Sequence, residues 1–214
     1  MKESKNYSPR RMGSVEMDLT KNQEANYVPQ VAIGLIHYPV FDRQKKVVAT
    51  NVTNFDIHDI ARAAKVYGVE KYYIIHPMQD QQMFVERVLD HWRTGFGAKF
   101  NPKRKTALTI VKTAPSLDFA LKDWGVENPL IVSTHARKFD GVKNFTFPEL
   151  KNEIFIQKKP LFLVFGTGFG LTEEFMSQCN GVLEGIRGAP PEDYRHLSVR
   201  SAVSICLDRV LGPW

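Results

Sequence analysis

Two habits of hydrophobic patterning alternate along this chain. Val31-Ala32-Ile33-Gly34-Leu35-Ile36-His37-Tyr38 is almost continuously apolar, the signature of a strand buried on both faces. Beyond a polar loop, Asp42-Arg43-Gln44-Lys45-Lys46, the period changes. Ile57, Ile60, Ala61 and Ala64 recur at helical spacing, with Asn54 or Asp56 as the cap and Gly68 as the stop. Lys71–His76 predicts the second strand, Gln79 to about Trp92 the second helix, and Ala107–Val111 the third strand. Ser116–Trp124 predicts a short helix, Pro129–Thr134 a fourth strand, and Phe147–Gln157 another helix. Leu161–Phe165 and Gly181–Glu184 are the fifth and sixth strands. Val199, Ala202, Val203, Cys206, Leu207 and Val210 mark a strongly amphipathic final helix.

Strands that alternate with helices predict a parallel-rich α/β sheet with helices on both faces. Residues 1–28 are polar and lack apolar periodicity, so they are expected to be a flexible tail. Residues 29–214 then form one domain.

Charge changes the picture at one place. The net charge of +6 is matched by the stretch from His91 to Leu117 alone, which holds Arg93, Lys99, Lys103, Arg104, Lys105 and Lys112 and no acid. Aromatic and glycine residues interleave it, in Trp92-Arg93-Thr94-Gly95-Phe96-Gly97-Ala98-Lys99-Phe100. Basic and aromatic side chains together suit phosphates and unpaired bases, although packing of the aromatics in a core or dimer contact also accounts for them. The two cysteines, Cys179 and Cys206, make neither a disulfide framework nor a metal site, which fits a reducing, cytoplasmic setting. No metal is expected, and no segment has the length of a membrane span.

The candidate chemistry gathers late in the chain. Ligands of open α/β sheets collect at the carboxyl ends of strands. Thr134-His135-Ala136, Gly166-Thr167-Gly168-Phe169-Gly170 and Glu184-Gly185-Ile186-Arg187 all stand at such ends. Walls rich in glycine suit a flat ligand, such as adenosine, held by main-chain groups. One reading is a dinucleotide site, with Glu184 as the ribose-binding acid. Its glycine spacing is G-x-G-x-G rather than G-x-G-x-x-G, and too little chain follows Glu184 to build a second mononucleotide half.

A second reading reaches all these segments together. Asn51–Ala64 with Tyr67-Gly68-Val69, then Phe165–Leu171, then Ser198–Ile205 resemble, in order and spacing, the three motifs of SpoU-type RNA methylases. The chain is thereby similar to the SPOUT methyltransferases, including their uncharacterised bacterial relatives, from about Val31 to Leu211. The resemblance implies a C-terminal trefoil knot, a homodimer, S-adenosylmethionine as cofactor and tRNA or rRNA as substrate. It places the cofactor among Thr134, His135, Ala136, Gly166, Thr167, Gly168, Phe169, Gly170, Leu183, Glu184, Gly185, Ile186, His196, Leu197 and Ser198. Arg62 matches the arginine assigned to the target ribose, and Ser198 and His196 fall beside it in the third motif. Asn54, His58, Arg62, Arg93, Lys99, Lys103, Arg104 and Lys105 are the candidate RNA contacts.

Ribose 2′-O transfer is the expected reaction, with two departures from the pattern. Gly168 stands where a glutamate is usual, and His196 where an asparagine is usual. Base N-methylation therefore stays open, with His196 as a general base. So does an inactive RNA-binding protein that keeps the fold.

Overall fold

The computed structural model describes residues 27–213, so the predicted tail lies almost wholly outside the described residues. In chain order the strands are β1 (Val31–Ile36), β2 (Val40–Phe41), β3 (Val47–Val48), β4 (Lys71–Ile75), β5 (Val111–Ala114), β6 (Leu130–Thr134), β7 (Lys143–Phe145), β8 (Leu161–Gly166) and β9 (Gly181–Leu183). The helices are α1 (Asp56–Ile60, a π-helical turn), α2 (Ala61–Val66) continuing it, α3 (Gln79–Arg93), α4 (Phe96–Phe100), α5 (Pro102–Leu108), α6 (Leu117–Trp124), α7 (Phe147–Phe155), α8 (Glu173–Ser177) and α9 (Val199–Leu211).

Seven strands form one sheet in the order β5-β4-β1-β8-β6-β9-β7, and every pairing in it is parallel. A parallel sheet must be covered on both faces, which is why β1 and β8 are apolar throughout. Alternate residues divide between two cores. Ile33, Leu35, Leu163 and Phe165 pack with Ile57, Ile60, Leu89, Leu150 and Leu207. Ala32, Ile36, Phe162 and Val164 pack with Ala120, Trp124 and Met176 on the other face. Helix α9 buries Val203, Cys206, Leu207 and Val210, as its periodicity predicts. The large aliphatic members of such a set contribute about 1.5–3 kcal/mol each by leaving water.

Local chemistry explains most boundaries. Ser116, Thr146, Thr172 and Ser198 cap α6, α7, α8 and α9 with their hydroxyls, and Thr146 with Glu149 forms a full capping box. Two expectations need correction. The cap of the first helix is neither Asn54 nor Asp56. Thr53 Oγ1 accepts from Asp56 N at 3.3 Å, while the Asp56 carboxylate accepts from Thr53 N at 3.2 Å and from its hydroxyl at 2.5 Å. Nor is Ala107–Val111 a strand. Asn101 accepts from Arg104 N and Pro102 occupies the first turn, so a helix starts there and carries Ala107 and Leu108 with it. The strand begins only at Val111.

The polar loop Asp42–Lys46 is the turn of a small antiparallel hairpin, β2–β3. Asp42 accepts from Gln44 N and Lys46 N, both at 2.8 Å, and closes the turn. This hairpin is the support of the functional site. Among the described residues no helix is long and apolar enough to cross a membrane.

Candidate cofactor and RNA site

Strand β6 lies between β8 and β9, so the carboxyl ends of these three strands are neighbours in space. The register pairs Thr134 with Leu183 and Ser133 with Val164. The three predicted cofactor segments thus meet on one edge of the sheet, although they are scattered over 53 sequence positions from Thr134 to Ile186.

Each wall is held by backbone. Gly168 and Gly170 have φ of +59° and +106°, a left-handed conformation that side chains resist. The turn they form is bolted to the hairpin: Phe169 N donates to Phe41 O and Phe41 N donates to Gly170 O, each at 2.9 Å. Leu171 continues the bridge opposite Val40. A Cβ on Gly168 would lie 2.9 Å from Phe41 O, so a glutamate in its place has no room without moving the hairpin. The absence of that glutamate follows from the local packing of this chain.

The second wall is equally tight. A Cβ on Gly185 would come within 2.3 Å of Ala136 O. From there residues 184–198 form a strap. Arg195 donates to Ala136 O at 3.0 Å and is paired with Asp193, which also accepts from Gly188 N at 2.8 Å. The guanidinium beside it holds the Asp193 carboxyl below the usual range. The strap brings His196, Leu197 and Ser198 to the rim, all exposed, with the His196 ring edge-on to Tyr194 at 5.5 Å. Ser198 Oγ accepts from Ser201 N at 3.3 Å, its duty as a cap. His135 lies across from the glycine turn, 3.8 Å from where a Cβ on Gly170 would stand.

Glu184 is spoken for. Its carboxylate accepts from Phe147 N at 2.9 Å at the start of α7, and its own N–H donates to Phe145 O at 2.8 Å. One carboxylate oxygen is thereby committed to the start of α7, which weakens the anchor of a dinucleotide reading. The walls are glycine-rich backbone, which suits a nucleoside-type ligand held by main-chain groups. S-adenosylmethionine is such a ligand.

The first and third motifs are joined by a residue that sequence reasoning passed over. Arg200, in the first turn of α9, reaches Asp56 at 3.3 Å and Asp59 at 3.5 Å, and lies over the Phe55 ring. Asp56 is buried. Arg62, one turn further along, is exposed and takes no carboxylate. The only sequence signal for this pairing was a charged residue in the first turn of an amphipathic helix.

The candidate RNA contacts divide. Arg93 is a brace: its guanidinium donates to Leu108 O at 3.1 and 2.7 Å and also to Val111 O. Arg104 lies 4.3 Å over the Trp92 ring, and His58 meets that ring edge-on at 5.4 Å. Both His58 nitrogens are buried without partners, and burial, then Arg104, lowers its pKa. Asn54, Lys99, Lys103 and Lys105 are exposed. Phe96 and Phe100 stack on each other at 6.3 Å and are about three-quarters exposed. Asn54 also opens onto a groove of about 400 Å³ lined by Phe84, Arg87, His91 and Trp92.

A family model described as SAM-dependent RNA methyltransferase matches residues 30–212. An uncharacterised protein of Aquifex aeolicus is 39% identical over 185 residues, which is 85% of this chain and 88% of that protein. A protein of Oleidesulfovibrio alaskensis named tRNA (guanine-N(1)-)-methyltransferase is 38% identical over 181 residues. This is 83% of this chain but 41% of that protein, so the chain spans about two fifths of its length. Among solved structures, a putative methylase family protein from Neisseria gonorrhoeae superposes with a TM-score of 0.56 at 19% identity, over 86% of this chain and 83% of that one.

Proposed function

This chain belongs to the SAM-dependent RNA methyltransferase family, and we propose that it binds S-adenosylmethionine where β6, β8 and β9 end and methylates a ribose 2′-hydroxyl of tRNA or rRNA. The observation that carries the proposal is the convergence of three backbone walls at Ala136, Gly166–Gly170 and Gly185.

Bound there, the cofactor supplies an electrophilic methyl group on a sulfonium. The protein's part is placement. The glycine turn and the Ala136–Gly185 contact present main-chain donors and acceptors to the adenosine. The strap, held by Arg195, closes the rim and excludes water from the methyl group. Arg62, a guanidinium with donors and no acceptor, holds the RNA phosphate or the developing oxyanion rather than removing a proton. His196 and Ser198, at the rim of the same cleft, are placed to take the proton from the hydroxyl and to orient it. Lys99, Lys103 and Lys105 hold flanking phosphates, and Phe96 and Phe100 offer ring faces to unpaired bases.

Base N-methylation is the second reading. It is favoured by the name of the Oleidesulfovibrio relative, of which this chain spans only part.

Two features of assembly belong to the proposal. The first is a trefoil knot formed by the chain after β9, which membership of the family supports. Phe55 and Val66, 67% and 77% exposed on the α1–α2 helix, supply apolar surface for a homodimer. The place of action is the cytoplasm.

Calorimetry with S-adenosylhomocysteine, followed by transfer of labelled methyl to total RNA, tests the reading. Binding in the micromolar range and label in ribose are expected. No binding overturns it, and binding without transfer to any RNA makes the protein an inactive RNA binder.

A further inference from the structure

Beside the glycine turn runs a chain of polar groups, anchored on the buried His37 and His76, that the transfer reaction leaves unused. Its proton directions follow from its ends. Thr167 Oγ1 donates to Ile36 O at 3.1 Å, which uses its only proton. The 2.5 Å contact between Thr167 Oγ1 and Thr50 Oγ1 must therefore be donated by Thr50. With that proton spent, Thr50 Oγ1 accepts at its 3.0 Å contact with His37 Nδ1. His37 thus carries a proton on Nδ1, and its Nε2 is buried with no partner.

Thr50 is gripped through its main chain as well. Its N–H donates to His37 O at 3.0 Å. His76 Nδ1 accepts from Met78 N at 3.0 Å, so its Nε2 bears the proton and donates to Thr50 O at 3.2 Å. Three segments far apart in sequence are thereby fastened at one residue: the end of β1, the exit of the β2–β3 hairpin and the turn after β8. Among the described residues the turn has no other side-chain tie of this kind. Its remaining bonds to the hairpin are the main-chain pair at Phe41.

We propose that His37, through Thr50, is a positioning residue that latches Thr167 to β1 and so holds the Gly166–Gly170 backbone in its cofactor-binding form. A side chain that is 1% exposed, yet leaves one ring nitrogen unpaired, is costly in a core. What it provides is a directed proton at Nδ1. Without it, Thr50 and Thr167 lose the fixed order of donation, and the turn gains alternative arrangements that must be closed again when the cofactor binds. The inference rests on the cofactor site proposed above.

The test uses the full chain with Thr50→Val, His37→Leu and His37→Asn, each checked by thermal melting. Calorimetry reads S-adenosylhomocysteine affinity, and steady-state rates give KM for S-adenosylmethionine, KM for RNA and kcat. Thr50→Val and His37→Leu are expected to weaken nucleoside binding roughly 5- to 20-fold, the effect of one lost hydrogen bond. KM for S-adenosylmethionine should rise in step, with KM for RNA and kcat within about twofold. His37→Asn, whose side-chain amide can take the place of Nδ1–H, should restore most of the affinity. Should His37→Leu fail to fold, Thr50→Val decides, being nearly isosteric. Folded variants that bind like the wild type, or an asparagine variant no better than leucine, overturn the latch. Wild-type protein that binds no S-adenosylhomocysteine overturns the cofactor site itself, and the latch with it.

Discussion

Arg200 in the first turn of α9 closes on Asp56 at the start of α1, with Nη1 3.3 Å from Oδ1, although the two residues are 144 positions apart. The pair fastens the third motif to the first. Asp56 keeps its bonds to Thr53 in addition, so the carboxylate is saturated on both sides. Removing the arginine leaves a buried charge half-compensated. Arg200→Ala is expected to cost about 1–3 kcal/mol of stability by urea unfolding, while Arg200→Lys, which keeps the charge but loses the fork, costs less. Equal, negligible costs for both would show that the pair contributes no stability.

Arg62 carries no such bond, so its removal should leave the fold and the cofactor cleft alone. For Arg62→Ala the expected result is loss of methyl transfer by two orders of magnitude or more, about 3 kcal/mol of transition-state stabilisation. Affinity for S-adenosylhomocysteine should change less than about twofold. A large loss of that affinity would mean that the side chain belongs to the cofactor wall.

The basic stretch splits into structural and free cations, and the two groups should respond differently. Lys103→Glu with Lys105→Glu is expected to lower the slope of log affinity against log salt for RNA by roughly 1–2, with unchanged melting. Arg93→Ala should act the other way, lowering stability because the Leu108 and Val111 carbonyls lose their donor. Filter binding across a salt series and thermal melts separate the two. An unchanged salt slope in the lysine variant would remove this surface from the RNA path.

Stability should also fall on mild acidification. Burial, opposed by Asp56 and reinforced by His76, lowers the His37 pKa from 6.5 to about 4. The pKa values of His58 and His76 are lowered as well, chiefly by burial. The unfolded chain takes up these protons near pH 6.5, whereas the folded protein refuses them until lower pH. The stabilisation is complete above 6.5 and is lost as pH drops toward 4, on the order of 3 kcal/mol for His37 alone. Urea midpoints at pH 7.5 and 4.5 measure this. In His37→Asn most of the difference should vanish, and a full-sized difference in that variant would assign it to other groups.

Gly185 gives a steric test. Ala136 O stands 2.3 Å from the place of its missing Cβ. Gly185→Ala must therefore displace the strap or the Ala136 turn. The expected outcome is at least tenfold weaker S-adenosylhomocysteine binding, together with a lower melting temperature, read by calorimetry. Unchanged binding would place the cofactor elsewhere.

Much of this protein was legible in the chain itself. The apolar runs at β1, β4, β6 and β8 and the helical period of α9 are properties of neighbours in sequence, because burial on two faces or one stripe must be written locally. The glycine turn was visible for the same reason, since left-handed backbone needs glycine on the spot. Local signals also misled, at the cap of the first helix and at one strand. Ala107-Leu108-Thr109-Ile110-Val111 is apolar enough for a strand, but Asn101 and Pro102 start a helix that overruns its first half.

What the sequence could not decide is which distant groups meet. Glu184 looked like a ribose acid and is a helix-capping group at Phe147. Arg93 looked like an RNA contact and is a brace, while Arg200 was marked only by its place in the first turn of an amphipathic helix and His37 not at all. Hydrogen bonds between residues 13, 117 or 144 positions apart depend on how the sheet orders its strands. Their directions are set only when every donor and acceptor around a buried atom is in place.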